Sequence, residues 1–199
     1  MKWIVSRYNH DISYLPKYTD DVVLYDRSEV PAPNSIVVPN IGSDWYDKFH
    51  YIIQNYDNLP DVAVYTKANI FKYVSPEEFE EIKDNKTFTP ILTKHHRAYS
   101  DDRGVVCFYD EDGMYNERND QWYLVGRPPK NDAFQLMLTL GISDQEYVKF
   151  APGSSYIVPK ETILKYPRKT YEYLRSMLDY SVYPSEAWII ERGIFNFWK

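Results

Sequence analysis

The 199-residue chain has few of the residues on which many enzyme classes depend. It contains a single cysteine, Cys107, which excludes an intramolecular disulfide and a cysteine-based metal cluster. Its seven glycines form no phosphate loop of the P-loop or dinucleotide type, so kinases and dehydrogenases are disfavoured. A serine-hydrolase elbow, Gly-x-Ser-x-Gly, is also missing. Any chemistry must therefore depend on other side chains.

The sequence also lacks long apolar runs and an excess of positive charge. No segment approaches the roughly 18 consecutive apolar residues of a membrane span, and residues 1–7 are interrupted too early for a signal peptide. The formal net charge of −6 disfavours a general affinity for nucleic-acid backbone. We therefore expect a soluble cytoplasmic protein with no nucleic-acid partner and no membrane span.

Aromatic residues, in contrast, are abundant. They make up 17% of the chain and include 20 tyrosines. Tyrosine suits stacking against sugars and bases because it combines a flat apolar face with a polar tip. Compositional drift in the source genome explains the same count, so both interpretations stay open.

Short apolar runs alternate with helical patterns in the first half of the chain. Runs at 3–6, 21–26, 35–39 and 61–65 predict buried strands. This alternation predicts an α/β fold, with one domain over residues 1–199 and a central mixed, mainly parallel sheet flanked by helices. Helices are expected over about 43–55, 75–83, 131–140, 160–164, 169–179 and from 184 onward, with further strands at 104–109 and 154–158.

The ends of the predicted strands indicate where a ligand would bind. In such a sheet, ligands lie at the carboxyl ends of the strands. The loops at 7–11, 40–44 and 66–69 are therefore expected on one edge. Segments 109–117 and 153–156 would complete a cleft there.

Two short motifs have both a metal-binding and an ordinary interpretation. Asp110 and Asp112 form an Asp-x-Asp that could share a divalent cation and bridge a diphosphate, but the same residues make a solvated acidic turn. His95 and His96 lack the i, i+4 spacing of a zinc protease and have no cysteine partners, which is typical of a solvated basic loop. For both motifs, residue types alone favour the ordinary interpretation.

Glu186 and Glu191 lie on either side of an apolar run that predicts the last helix. A separation of five residues in a helix places the two carboxylates about 140° apart, so Glu186 and Glu191 cannot form one paired-carboxylate site. Glu186 in the first turn could accept a proton from a bound hydroxyl, with Trp188 keeping its pKa up, or could simply complement the helix dipole. Glu191 beside Arg192 is typical of a structural ion pair.

Several stretches taken together resemble a known family. Residues 7–11, 38–62 and 191–195 are similar to sugar-transferase-like proteins of fungi, bacteria and large viruses. From residue 64 to the end the chain resembles the amino-terminal glycosyltransferase domain of a chlorella virus protein. The resemblance implies a GT-A fold, with a nucleotide-sugar donor at the strand ends and often a divalent metal.

The resemblance also implies a donor site. The loop after the fourth strand usually carries Asp-x-Asp in this family, whereas residues 66–69 contain no acid. Either Asp110 and Asp112 hold a manganese or magnesium ion elsewhere, or Lys67 offsets the diphosphate charge directly. The residues implied to bind the nucleotide sugar are Arg7, Tyr8, Asn9, Asp11, Asp44, Lys67 and Asn69.

The tail is similar to the Gly-Ser … Pro-Asp-Glu arrangement of a group of inverting GT-A transferases. Residues 153–158 and 184–186 carry this similarity. It implies that Glu186 is the general base that deprotonates the acceptor hydroxyl. Ser154 and Ser155 would bind the acceptor, and Glu191 would hold the helix in place.

The expected function is transfer of rhamnose or another hexose from a nucleoside-diphosphate sugar, with a UDP-sugar favoured, to a glycan hydroxyl. Residues 1–115 would bind the donor and residues 116–199 the acceptor. A viral protein of this kind would act in the host cytoplasm. A glycan-binding module without catalysis and a nucleotide-sugar hydrolase are the alternatives. Because predicted elements reach residues 3 and 198, we also expect one domain of a longer chain.

Overall fold

Short, β-branched apolar segments form the centre of the protein, as their pattern predicts. The computed structural model describes residues 1–94, 98–120 and 128–199. The strands are β1 Lys2–Arg7, β2 Val22–Asp26, β3 Ile36–Val37, β4 Val62–Lys67, β5 Thr89–Pro90, β6 Ala98–Asp101, β7 Gly104–Tyr109, β8 Tyr115–Arg118, β9 Tyr147–Phe150 and β10 Tyr156–Pro159. The helices are α1 Leu15–Tyr18, α2 Ser43–Gln54, α3 Pro76–Ile82, α4 Ala133–Thr139, α5 Lys160–Leu164, α6 Arg168–Ser176 and α7 Ser185–Trp198.

Six strands form a mixed sheet, called here the main sheet, in the order β3-β2-β1-β4-β10-β5. The strands β1 to β4 pair in parallel, and β10 is antiparallel to both β4 and β5. The predicted α/β class and mixed sheet are confirmed. Successive strands step outward from β1 to β3, and β4 then pairs on the other side of β1. The sheet therefore has a topological switch point between β1 and β4.

The remaining four strands form an antiparallel sheet, called here the second sheet, in the order β6-β7-β8-β9. The apolar run of β7 predicts one of these strands. The others are more polar: β8, for example, reads Tyr-Asn-Glu-Arg. The sequence does not predict this antiparallel sheet, because its polar strands lack the apolar runs that indicate a buried strand.

Helices cover both faces of the main sheet. The apolar stripe of α2 buries Trp45, Phe49 and Ile52 in the larger core, where α6 and α7 also pack. A smaller core on the opposite face contains Trp3 and Phe79, the latter from α3. The predicted start of α3 is confirmed, since Ser75 and Glu78 form a capping box.

Two further predictions concern a membrane span and a histidine metal site. Across the described ranges, none of the helices combines the length and apolar character needed to cross a membrane. His95 and His96, considered as a metal site or a basic loop, lie outside the described residues.

Candidate functional site

A cleft of about 170 Å³ opens where β1 and β4 end. This is the switch point of the main sheet, where parallel α/β sheets bind ligands. All three loops expected at this edge contribute to the cleft. Five of the predicted donor residues line it, namely Arg7, Tyr8, Asp44, Lys67 and Asn69. Sequence reasoning missed four other lining residues, Ser6, Arg27, Tyr73 and Tyr183.

Arg7, the last residue of β1, is fixed from behind. Its guanidinium Nη1 lies 2.6 Å from Oδ2 of Asp26 and 3.0 Å from Oγ of Ser28, and its Nε donates to the carbonyl of His10 at 2.8 Å. Asp26 is fully buried and also accepts backbone N–H bonds at 2.9 and 2.8 Å. Burial raises the pKa of Asp26, but these donors outweigh burial and hold it below its usual range. Arg7 therefore enters the cleft as an oriented cation.

The loop after β1 contains two predicted donor residues that do not line the cleft. Asn9 has a left-handed backbone, with φ 55°, and donates its N–H to Ser28 Oγ at 2.7 Å. Asp11 is exposed and accepts from the backbone N–H and Oγ of Ser13 at 3.0 and 2.7 Å. Both residues shape the turn that presents Tyr8, whose exposed fraction is 42%.

The start of α2 has a constrained backbone that brings Asp44 to the cleft. Gly42 and Ser43 have φ values of 69° and 57°, in the left-handed region. Arg27 donates to the carbonyl of Ser43 at 2.8 Å and pairs with Asp47 at 2.5 Å. Burial raises the pKa of Asp47 to about 6, although the charge of Arg27 opposes this shift. The buried Arg27–Asp47 pair thus anchors the first turn of the helix.

Asp44 joins two lysines in a buried charge cluster. Its Oδ2 accepts from Nζ of Lys48, and its Oδ1 lies 3.3 Å from Nζ of Lys67. Burial raises the pKa of Asp44, but the two ammonium groups outweigh burial and lower it well below its usual range. Burial lowers the pKa of Lys48, whose side chain is inaccessible to solvent. Lys67 keeps 26% of its side chain exposed, so it is the cation of this cluster that faces the cleft.

Glu191 of α7 reaches this cluster from the other side. Its Oε1 accepts from the backbone N–H of Gly153 at 3.0 Å and from Oγ of Ser154 at 2.9 Å. Burial lowers the pKa of Lys67, but Asp44 and then Glu191 outweigh burial and raise it above its usual range. Glu191 therefore stabilises the charge of a cleft residue and retains 18% side-chain exposure.

The predicted acceptor residues Ser154 and Ser155 lie beneath the cleft and do not line it. Both are buried, and Ser154 has a left-handed backbone with φ 63°. The carbonyl of Ser154 accepts from Lys48 Nζ, and Oγ of Ser155 lies 2.9 Å from Oγ1 of Thr66. Their observed contacts support the floor of the site.

Glu186 is fully buried at the start of α7 and does not line the cleft. Its Oε1 accepts from the backbone N–H and Nδ2 of Asn131 at 2.8 and 3.0 Å. Its Oε2 accepts from the hydroxyl of Tyr180. These bonds join α7 to the segments before it, and a role for Glu186 as general base stays a prediction.

Asp110 and Asp112 lie in the turn between β7 and β8, outside the cleft lining. Asp110 accepts from the N–H of Met114 at 2.9 Å and from Nδ2 of Asn116 at 3.2 Å, and it pairs with Lys149. These contacts close the turn. In the part of the chain that the structure describes, no three His, Cys, Asp or Glu residues are grouped to hold a metal ion. The pair Asp110 and Asp112 is smaller than such a group, so the manganese or magnesium ion stays a prediction.

Comparison of the chain with protein-family models, curated proteins and solved structures finds no significant match. The geometry of the cleft is therefore the basis on which a function can be proposed.

Proposed function

We propose that the protein is a glycosyltransferase that binds a nucleoside-diphosphate sugar in the cleft. The supporting observation is the convergence of Arg7 and Lys67 at the carboxyl ends of adjacent parallel strands. Asp26 and Asp44 hold these cations from behind, so their positions are set before a ligand arrives. Guanidinium and ammonium groups are the side chains that best recognise phosphate oxygens. A GT-A assignment of the fold is part of this proposal.

Aromatic and amide groups supply the other contacts that a donor needs. Tyr8 and Tyr183 line the cleft with exposed fractions of 42% and 58%, and their rings can stack on a base or a sugar. Asn69 also lines the cleft, and a carboxamide can both donate to and accept from a sugar hydroxyl or an amide of the base.

Glu191 is the better-placed candidate for the general base. A base must come within hydrogen-bond reach of the hydroxyl that it deprotonates. Neither glutamate lines the cleft. Glu191 keeps 18% of its side chain exposed beside the Asp44 and Lys67 cluster, and its Oε2 has only a loose contact of 3.8 Å with Arg192. Glu186 is fully buried, and both of its oxygens accept hydrogen bonds. We therefore propose Glu191 for the role that the family resemblance implies for Glu186, with the two residues compared experimentally.

One observation favours the glycan-binding alternative. Arg7 and Lys67 each already have a carboxylate partner, so the cleft as described carries paired charges. A neutral polyol can bind such a surface through hydrogen bonds alone. Catalysis and binding therefore need separate measurements.

The donor site is tested by titrating the protein with UDP, GDP and dTDP, with manganese or with chelator. Lys67→Gln should weaken binding of the favoured nucleotide by about 10- to 150-fold, because it removes one charge-assisted contact worth roughly 1.5–3 kcal/mol. Lys72→Gln is the matched control, since Lys72 follows closely in the chain but does not line the cleft. Equal affinities for both variants, or no nucleotide binding by the wild type, would contradict the donor site.

Turnover is tested with the corresponding nucleotide sugars and a panel of glycan acceptors. Glu191→Gln should reduce transfer by about 10²- to 10⁴-fold with unchanged nucleotide affinity, as expected for loss of a general base. Glu186→Gln provides the comparison. A specific loss in Glu186→Gln alone would restore the family-based assignment, and glycan binding without any turnover would identify a binding module. Nucleotide release without an acceptor would identify a hydrolase.

A further inference from the structure

A second cavity, called here the apolar cavity, has a volume of about 650 Å³ and lies apart from the cleft. Its apolar lining comes from the ends of α3 and α7, from β5 and from the β7–β8 turn. Small-molecule sites typically measure 300–1,000 Å³ and are mainly apolar with a few polar groups. The large apolar side chains in its lining are Ile82, Phe88, Leu92, Met114 and Phe195.

The floor of the apolar cavity is built into the core. The ring of Phe88 stacks on Tyr156 of β10, with centroids 5.6 Å apart and planes 9° from parallel. Phe195 of α7 packs 5.6 Å from Phe88, and Leu92 and Met114 are 9% and 7% exposed. These contacts fix the shape of the floor before any ligand binds, which reduces the entropic cost of binding.

A smaller concavity, called here the depression, shares lining residues with both the cleft and the apolar cavity. Tyr73 lines both the cleft and the depression, and Leu92 lines both the depression and the apolar cavity. The backbone N–H of Thr93 donates to the carbonyl of Tyr73 at 2.7 Å, which holds these two segments side by side. Tyr109 also lines the depression. The three concavities thus follow one another along the same surface.

We infer that the apolar cavity binds the apolar portion of the acceptor, and that the acceptor is an amphipathic glycoside. This inference rests on the proposed function of the cleft. The sugar of such an acceptor would lie over the depression, where Tyr73 and Tyr109 offer rings suited to a sugar face. An alkyl or aryl group attached to that sugar would enter the apolar cavity, where removing it from water favours binding.

Two probes that differ only in their apolar part test this inference. Octyl β-glucoside, used below its micellar concentration, and methyl β-glucoside are titrated calorimetrically into the protein with and without UDP. The octyl compound should bind the wild type at least about tenfold more tightly, because only its chain reaches the apolar cavity.

Two variants locate the binding of the chain. Met114→Trp should fill the apolar cavity, and Ile82→Glu should place a charge in its lining. Each should reduce the preference for the octyl compound to below about threefold while UDP affinity stays unchanged. Leu138→Trp is the control, because Leu138 is exposed on α4 away from this lining. Thermal melts followed by far-UV circular dichroism verify that each variant is folded.

The outcomes separate this inference from the proposed function. Equal affinity for both glucosides, or an octyl preference that survives in both folded variants, would overturn the inference even if UDP binds. An octyl preference that both variants abolish, with no binding of any nucleotide, would support an amphipathic-glycoside site and overturn the transferase assignment.

Discussion

Lys48 is a fully buried cation, so its stability depends on the polar groups around it. Its ammonium group contacts the Asp44 carboxylate and the carbonyl of Ser154, and it lies 4.3 Å from the centre of the Trp45 ring. Burying an ion is unfavourable unless partners replace the lost hydration. Lys48 meets this condition and thereby connects α2 with the segment that precedes β10.

Lys48→Met should lower the free energy of unfolding by about 3–5 kcal/mol, because it leaves Asp44 buried with a weaker partner. Lys72→Met, an exposed substitution, should change it by less than about 0.5 kcal/mol. Urea denaturation of both variants measures the difference. Similar stabilities of the two variants would show that the buried pair contributes little.

Asp26 should make stability depend on pH. Its pKa is lower in the folded protein than the ordinary value of about 4, so its contribution is fully present at neutral pH. This contribution is lost as the pH falls below about 4 and the carboxylate is protonated. Asp26→Asn should therefore flatten the pH dependence of the free energy of unfolding in that range, whereas exposed Asp57→Asn should leave it unchanged. An unaltered slope in Asp26→Asn would show that the carboxylate of Asp26 does not cause this pH dependence.

Part of the site could be predicted residue by residue. Arg7, Asp44 and Lys67 follow from rules about strand ends, because parallel strands present their carboxyl ends at one edge. The same rule applies to Arg27, which directly follows β2. Tyr73 and Tyr183 could not be found in this way, since they reach the cleft through the packing of loops and a helix start. For the two glutamates, helical spacing shows that they point apart but does not show which one lies beside the Asp44 and Lys67 cluster.

At the scale of elements, the turn before β10 is the most constrained part of the site. Gly153 has φ 92°, and a Cβ there would lie 2.5 Å from the Tyr73 ring. Its N–H also donates to Glu191. The glycine thus allows β10, Tyr73 and α7 to meet.

Gly153→Ala should destabilise the protein by more than about 1 kcal/mol and weaken nucleotide binding, since both backbone and ring must move. Gly104→Ala is a matched control, because Gly104 has φ 107° but no atom within 4 Å of an added Cβ. It shares the backbone strain and lacks the clash. Thermal unfolding and UDP titration of both variants measure the difference, and equal losses would show that the Tyr73 contact is unimportant.

Elements were predictable where hydrophobic pattern decides structure. The parallel strands and α2, α3 and α7 have apolar runs or caps that local rules recognise. The strands β6, β8 and β9 do not, because each has only four residues, most of them polar in β8. These segments become strands by pairing within the second sheet and by packing of β9 on α7. Such pairing is a long-range property that a local pattern does not contain.

At the scale of the whole molecule, α7 joins the two sheets. It packs on β9 of the second sheet and on α2, which covers the main sheet. The buried guanidinium of Arg192 lies 2.8 Å from Glu117 of β8. We therefore expect both sheets to unfold together.

This expectation is tested with two signals during urea denaturation. Far-UV circular dichroism reports both sheets, whereas tryptophan fluorescence includes Trp45, Trp188 and Trp198, which lie in or against the larger core. Trp122→Phe, used as the background for both signals, removes the tryptophan outside the described residues. The two transitions should coincide, as they do for a cooperative domain. A second, separate transition in the dichroism would show that the second sheet unfolds independently.

The pairing of cations with carboxylates at the cleft also affects how fast a ligand arrives. The protein carries a net charge of −6, and Asp26 and Asp44 offset much of the field of Arg7 and Lys67 beyond the cleft itself. Electrostatic steering requires a field that extends over roughly a Debye length into solvent. An anionic ligand should therefore associate without attractive steering, and its association rate should rise as added salt screens the net negative charge.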